Sequence, residues 1–316
     1  MSQSQFFKNA RVYRLTSGAA DLFAAHDLDE HLAKFRFIGG TNLEMQSLGW
    51  APPYEGHDSL IRRVGDAVLM VLRTSKKLLP TSVVNEVAKA RAAEIEEQQG
   101  YKAGRKQMKE IKERVTDELL PKAFSVSRDT RVLFDLARGF LVIDAASSAK
   151  ADEVIGWLSK TFDQFPLENL YVATSPAQAM TGWLAEDEAP ANFSIDQDTE
   201  LRASGESGAA IRYVKHSIDA EDVGRHIQSG KQCTRLAMTW ADRISFVLDE
   251  GLNIKRIAPL DVLKEGEGSG IDKNDDERRD SDLALFAGEF GKLMAELIAA
   301  LGGEKDLSGM GSQPTA

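Results

Sequence analysis

Five cationic side chains recur at helical spacing between Tyr101 and Glu113. At about 100° per residue, Lys102, Arg105, Lys106, Lys109 and Lys112 fall within an arc of roughly 120°. Met108, Ile111 and Val115 occupy a different arc. A helix with one apolar and one basic stripe packs by the first and can meet phosphates with the second. Each phosphate neutralised releases counterions, so such a stripe gives salt-sensitive, sequence-independent binding. The plainer reading is a solvated lysine face. Charge alone favours it, because a nucleic-acid binder usually carries a basic signature over the whole domain. This chain has 39 Lys and Arg against 49 Asp and Glu, a net charge of −10.

Other chemistry fails on residue type or spacing. Gly266-Glu267-Gly268-Ser269-Gly270 lacks the third glycine of a dinucleotide fingerprint and the Gly-Lys-Ser/Thr of a Walker loop, and its surroundings are acidic. Asp272, Asn274 and Asp276 begin like a calcium loop, but Glu277 stands where glycine is needed and Leu283 where the closing glutamate belongs. His26, His31, His57, His216 and His226 form no metal-ligand spacing. His57 follows Pro52-Pro53 and reads as a structural or surface residue. Cys233, the one cysteine, excludes an internal disulfide and sits in a strand pattern, as a small core residue does. No pair of carboxylates has a recognisable catalytic spacing. The chain reads as a non-enzyme with no cofactor and no metal. Phe124 follows a helix break; spacing alone places it in the core, although an aromatic there can also be an exposed anchor.

The basic stripe needs a helix, and the flanking sequence supplies one. Thr81–Gln99 contains no Gly or Pro, and Val84, Val87, Ala88, Arg91 and Ile95 recur at helical spacing. Thr81 or Ser82 is suited to cap it. Gly100 and Gly104 interrupt, and a second helical run follows until Pro121. The pair reads as an antiparallel helical hairpin projecting on the order of 28 Å. Around it, Arg11–Leu15, Asp66–Arg73, residues 131–145, Ala209–Val214, Cys233–Trp240 and Ile244–Asp249 read as strands. His26–Phe37, Ala149–Phe162, Ala177–Trp183, Ala220–Gln228 and Leu283–Leu301 read as helices. Gly49–Pro53 reads as a turn, Ala185–Ser207 as a loose boundary and residues 264–282 as a polar linker.

Apolar residues are 42% and charged residues 28% of the 316, and mean hydropathy is −0.30. That composition belongs to a folded chain with a sizeable core. The longest apolar run, Ala67–Leu72, is too short for a membrane span. The first residues lack the apolar region of a secretory signal, so a cytoplasmic location is expected. Charge is uneven. Residues 1–75 are net 0, residues 76–128 net +4 and residues 129–316 net −14. The hairpin is the only electropositive segment.

Seven stretches are collinear with one family: Phe7–Leu15 (FKNARVYRL), Gly49–Pro53 (GWAPP), Lys77–Pro80 (KLLP), Leu119–Ser125 (LLPKAFS), Gly139–Ala146 (GFLVIDAA), Gly230–Trp240 (GKQCTRLAMTW) and the final helix entering Gly302-Gly303-Glu304. By these the chain resembles the bacterial recombination-associated RdgC family from about residue 6 to residue 304. The resemblance implies a non-enzymatic, nucleoid-associated protein that encircles duplex DNA as a ring-shaped homodimer, also binds single-stranded DNA, and limits RecA access. It implies a basic lumen inside an acidic exterior. It assigns Phe124 to a gate closing the ring, against the core placement from spacing. It also assigns a basic-polar pair to Lys215-His216, where His replaces the family's frequent amide.

The expected fold is therefore α+β: a discontinuous central module (residues 1–76 and 125–185), a helical tip (77–124), a base (186–303) and a disordered tail (304–316). DNA phosphates are assigned to Lys102, Arg105, Lys106, Lys109 and Lys112, with Lys76, Lys77, Arg114, Lys122, Lys215 and His216. The alternative is a scaffold that docks an acidic protein partner on the basic hairpin. No membrane role is expected.

Overall fold

The structure, a computed structural model, describes residues 6–25, 27–203, 208–214, 220–265 and 274–305. The chain begins with β1 (Asn9–Leu15), α1 (Ala19–Ala24), α2 (Leu28–Ala33), β2 (Gln46–Ala51), β3 (Ile61–Val64) and β4 (Ala67–Lys77). Then come α3 (Thr81–Gln99), α4 (Arg105–Leu119), a 3-10 turn at Leu120–Lys122, β5 (Ser125–Asp135), β6 (Phe140–Ile143), α5 (Ser148–Thr161), β7 (Leu167–Asn169) and α6 (Pro176–Glu186). The remainder is β8 (Phe193–Ala203), β9 (Ala210–Tyr213), α7 (Ala220–Gln228), β10 (Lys231–Trp240), β11 (Ile244–Asp249), β12 (Ile254–Pro259), α8 (Asp261–Glu265) and α9 (Asp275–Ala300). The fold is α+β. No helix among the described residues is long and apolar enough to cross a membrane.

The chain forms two compact units, one of residues 1–26, 61–69 and 131–316, the other of residues 27–60 and 70–130. In the first, antiparallel strands follow the order β6-β1-β12-β11-β10-β8-β9. α9 buries Leu283, Phe286, Phe290, Leu293, Met294 and Leu297 along one stripe. Phe286 stacks on Phe7 at 4.7 Å and on Phe290 at 5.2 Å between ring centroids. A capping box starts this helix: Asn274 accepts from the Glu277 amide, and Glu277 accepts from the Asn274 amide. Gly291 is required within it, because a Cβ there would lie 2.6 Å from Arg138 Nε.

In the second unit β2 pairs antiparallel with β4, from Gln46 opposite Lys76 to Ala51 opposite Val71. Leu32, Trp50, Tyr54, Met70 and Leu72 form its buried centre. Trp50 also exchanges backbone hydrogen bonds with the chain at Phe35 and Phe37, at 2.9 and 2.8 Å. That approach leaves no room at Gly49, whose Cβ would lie 2.4 Å from the Phe37 Cα.

Several sequence expectations are corrected. Gly49–Ala51 belong to β2, and the turn begins only at Pro52. The supposed loose stretch contains β8, an eleven-residue strand with neighbours on both sides. Its core face is carried by Thr199 and Leu201 among charged residues, so the apolar signal is weak. The polar linker ends early, because α9 starts at Asp275; residues 266–273 lie outside the described residues. Neither Thr81 nor Ser82 caps α3. Its N-cap is Pro80, whose carbonyl accepts from the Val83 and Val84 amides. Glu304 does not begin a disordered tail: its carboxylate accepts from the Arg14 Nε at 2.8 Å, and the Lys305 amide donates to the Tyr171 carbonyl.

Candidate nucleic-acid interface

α3 and α4 pack on each other through Val84, Ala88 and Ala92 from one helix and Ile111 and Val115 from the other. Val87, Ile95, Met108 and Leu119 flank this seam. Ala88 and Ala92 are small enough to let the helices approach closely. Gly100 ends α3 in the left-handed conformation, φ 77°, and its amide donates to the Glu96 carbonyl. The return is tied by the Gln107 side-chain Nε2, which donates to Gln99 Oε1 at 3.3 Å, and, further down, by Arg91 to Glu118 at 3.7 Å.

The seam determines where the cations go. With Ile111, Val115 and Met108 turned inward, Arg105, Lys109 and Lys112 share one flank of α4, next to the apolar stripe, within an arc of roughly 60° at 100° per residue, and all three are exposed. Lys106 lies on the edge of that stripe, beyond Glu113, which pairs with Lys109 at 3.7 Å. Arg114 is exposed on the far side of the helix from Arg105, half a turn away. Lys102 is exposed but lies in the turn before α4, so its place on the stripe by helical counting does not hold.

Lys122 lies in the 3-10 turn, 3.8 Å from Glu118. Lys76 is exposed near the end of β4. The neighbouring Lys77 is half-buried and turns its Nζ to the Ala123 carbonyl at 3.4 Å. Among the described residues, Lys76, Lys102, Arg105, Lys106, Lys112 and Arg114 make no ion pair with an acidic side chain. Lys215 and His216 lie outside the described residues.

Phe124 is not a core residue. Its backbone is held by the Leu78 amide, but its side chain is exposed, as are those of Leu78 and Val126. α4 ends at Leu119, and the 3-10 turn Leu120–Lys122, with Pro121 inside it, places Leu120 inward and leaves Phe124 beyond the buried position.

Cys233 is fully buried, its amide donates to Thr181 Oγ1, and burial pushes its thiol up to about 12. His57 is exposed beside Tyr54. Among the described residues no group of three or more His, Cys, Asp and Glu is arranged to hold a metal ion. One charged cluster escaped sequence reading: Arg202, Arg212 and Arg235 converge on the buried Glu200. They come from three consecutive strands, β8, β9 and β10, and only the alternation of Asp198, Glu200 and Arg202 along β8 could have hinted at it.

A family model described as "Putative exonuclease, RdgC" matches residues 5–304. The chain is 68% identical over 300 residues to a recombination-associated protein RdgC of Bordetella parapertussis, covering 95% of this chain and 99% of the relative. Proteins of the same name from Janthinobacterium sp. (57% over 299 residues, 95% and 98% covered) and Ralstonia nicotianae (52% over 300 residues, 95% and 96% covered) are also similar.

Proposed function

The chain belongs to the RdgC family, and on that premise we propose that it is a DNA-binding protein of recombination that grips duplex DNA through phosphates without reading bases. The observation that carries this is the exposed stripe of Arg105, Lys109 and Lys112 on α4, in which Arg105 and Lys112 have no acidic partner among the described residues. Cations left unneutralised on a helix held rigid by an apolar seam are suited to a polyanion. They carry no groove-reading geometry, so discrimination between sequences is low.

In this reading two copies close a ring around the duplex at the nucleoid, with the exposed Phe124 of each at a contact between copies. The ring limits access by RecA. Single strands bind through the same phosphates. The protein acts by occupancy, not by cleavage.

Fluorescence anisotropy with two unrelated duplexes and one single strand, over a salt series, tests the reading. Similar affinity for both duplexes and a steep fall of log K with log salt are expected. Replacing Arg105, Lys109 and Lys112 together with Gln reduces the slope by up to about 2.7, at about 0.9 for each phosphate that is no longer neutralised. Absence of binding at low salt would leave the stripe as a solvated face or as a dock for an acidic protein.

The family description favours a second reading, an exonuclease. Incubation of end-labelled duplex with the protein and magnesium separates the two: an intact substrate is expected, and progressive shortening that co-purifies with the protein would establish the nuclease.

A further inference from the structure

Strand register lines up charges across one end of the sheet in the first unit. Arg212 of β9 is opposite Glu200 of β8, Glu200 is opposite Arg235 of β10, and Arg235 is opposite Asp249 of β11. The Glu200 side chain is only 4% exposed. Its Oε2 accepts from Arg212 Nε at 2.5 Å and lies 3.9 Å from Arg235; its Oε1 accepts from Arg202 at 2.9 Å and from Thr234 Oγ1 at 3.3 Å. Burial pushes the carboxyl up, but the hydrogen bonds from Arg202 and Arg212, with the charge of Arg235, outweigh it and hold Glu200 below the usual carboxylate range.

One guanidinium suffices to neutralise one carboxylate. Here three surround it, and each remains about half exposed or more. A guanidinium has five donors, so most of theirs remain directed away from Glu200.

Two further cations join them against the strand rule. Successive side chains of a strand face opposite sides, yet Lys255 and Arg256 both line the cavity of about 180 Å³ beside Arg212 and Arg235. The cause is a bulge. β11 and β12 lose register between Ser245 and Val247, and Arg256 sits there with φ 52°, a left-handed conformation that favours glycine. An arginine held at such a position is a strain that the fold retains. Arg256 is 76% exposed and reaches Asp198 at 3.3 Å, while Lys255 pairs with Asp249 at 2.8 Å. Five cations and three carboxylates give this patch an excess of two positive charges, in a unit whose net charge is −10.

We infer that the arginine cluster around Glu200 is a second phosphodiester-binding site, built on the sheet and separate in sequence from the α4 stripe. Glu200 acts as the positioning residue: it fixes the guanidinium planes so that their outer donors are presented in a fork, the geometry that matches phosphate oxygens. The cavity holds a phosphate group and a few waters, not an element of a folded partner. The inference rests on the DNA-binding reading above.

The test is the salt slope of duplex binding for Arg212→Gln, Arg235→Gln and Arg256→Gly, beside the α4 triple variant. Arg256→Gly is favoured by its backbone conformation, so it folds even where an exchange beside Glu200 does not. Each variant is expected to lower the slope by about 0.9, with the α4 variant retaining a measurable slope. Duplex binding by the wild type with unchanged slopes in the cluster variants overturns the inference and leaves the DNA-binding reading standing. A wild type that binds no duplex overturns both. Thermal stabilisation by inorganic phosphate, lost in the variants without any change in DNA slope, would assign the cluster to a free oxyanion and also overturn it.

Discussion

The Leu78 amide donates a 2.7 Å hydrogen bond to the Phe124 carbonyl, while the two side chains stand 56% and 83% exposed. The backbone is anchored and the apolar groups are presented to solvent. Among the described residues nothing covers them.

Phe124→Ala is therefore expected to change the stability of the isolated chain by no more than about 0.5 kcal/mol, as surface exchanges do. Self-association should weaken. Urea denaturation and sedimentation velocity measure the two effects separately. A large loss of stability with unchanged self-association would return Phe124 to a core role.

Ile111→Ala empties part of the seam between α3 and α4. Ile111 is 7% exposed and meets small residues across the interface. The expected cost is about 2 kcal/mol, the lower end for such truncations. Urea denaturation gives the value. A variant as stable as the wild type would show that the two helices do not depend on this packing.

Asp249 shapes the acid limb of stability. Burial pushes its carboxyl up, but hydrogen bonds from Lys255 and Asn253 outweigh this and lower it below the ordinary value. A carboxylate lowered by folding contributes stability above its unfolded pKa of about 3.9. That contribution fades as pH falls through the folded value. Asp249→Asn should be less stable at pH 7 and lose less on further acidification below pH 4. Parallel denaturation curves against pH for the two proteins would contradict this assignment.

Cys233 should resist a thiol reagent at pH 8 while the chain is folded, because its thiol is buried and pushed up to about 12. Full labelling is expected after denaturation. Rapid labelling of the native protein would mean that the strands β8 and β10 open locally around it.

Much of this architecture was legible along the chain because it depends on local periodicity. The limits of α3 and of β11 follow from uninterrupted apolar spacing and from the breakers around them. The separate basic and apolar stripes of α4 follow from helical counting alone, except at Lys102, which lies three residues before the helix begins. β8 was hidden because a strand paired on both sides draws its stability from its neighbours β9 and β10, not from its own apolar content.

The residue types and spacing by themselves determined that a basic, amphipathic helical pair stands in an otherwise acidic α+β protein. Only tertiary structure decided which cations remain free, that Leu120 instead of Phe124 enters the core, and that Arg202, Arg212 and Arg235 meet at Glu200. Helical faces are set by neighbours three and four residues away. Exposure after a helix break and the meeting of strands are set by register across the sheet, which no local spacing encodes.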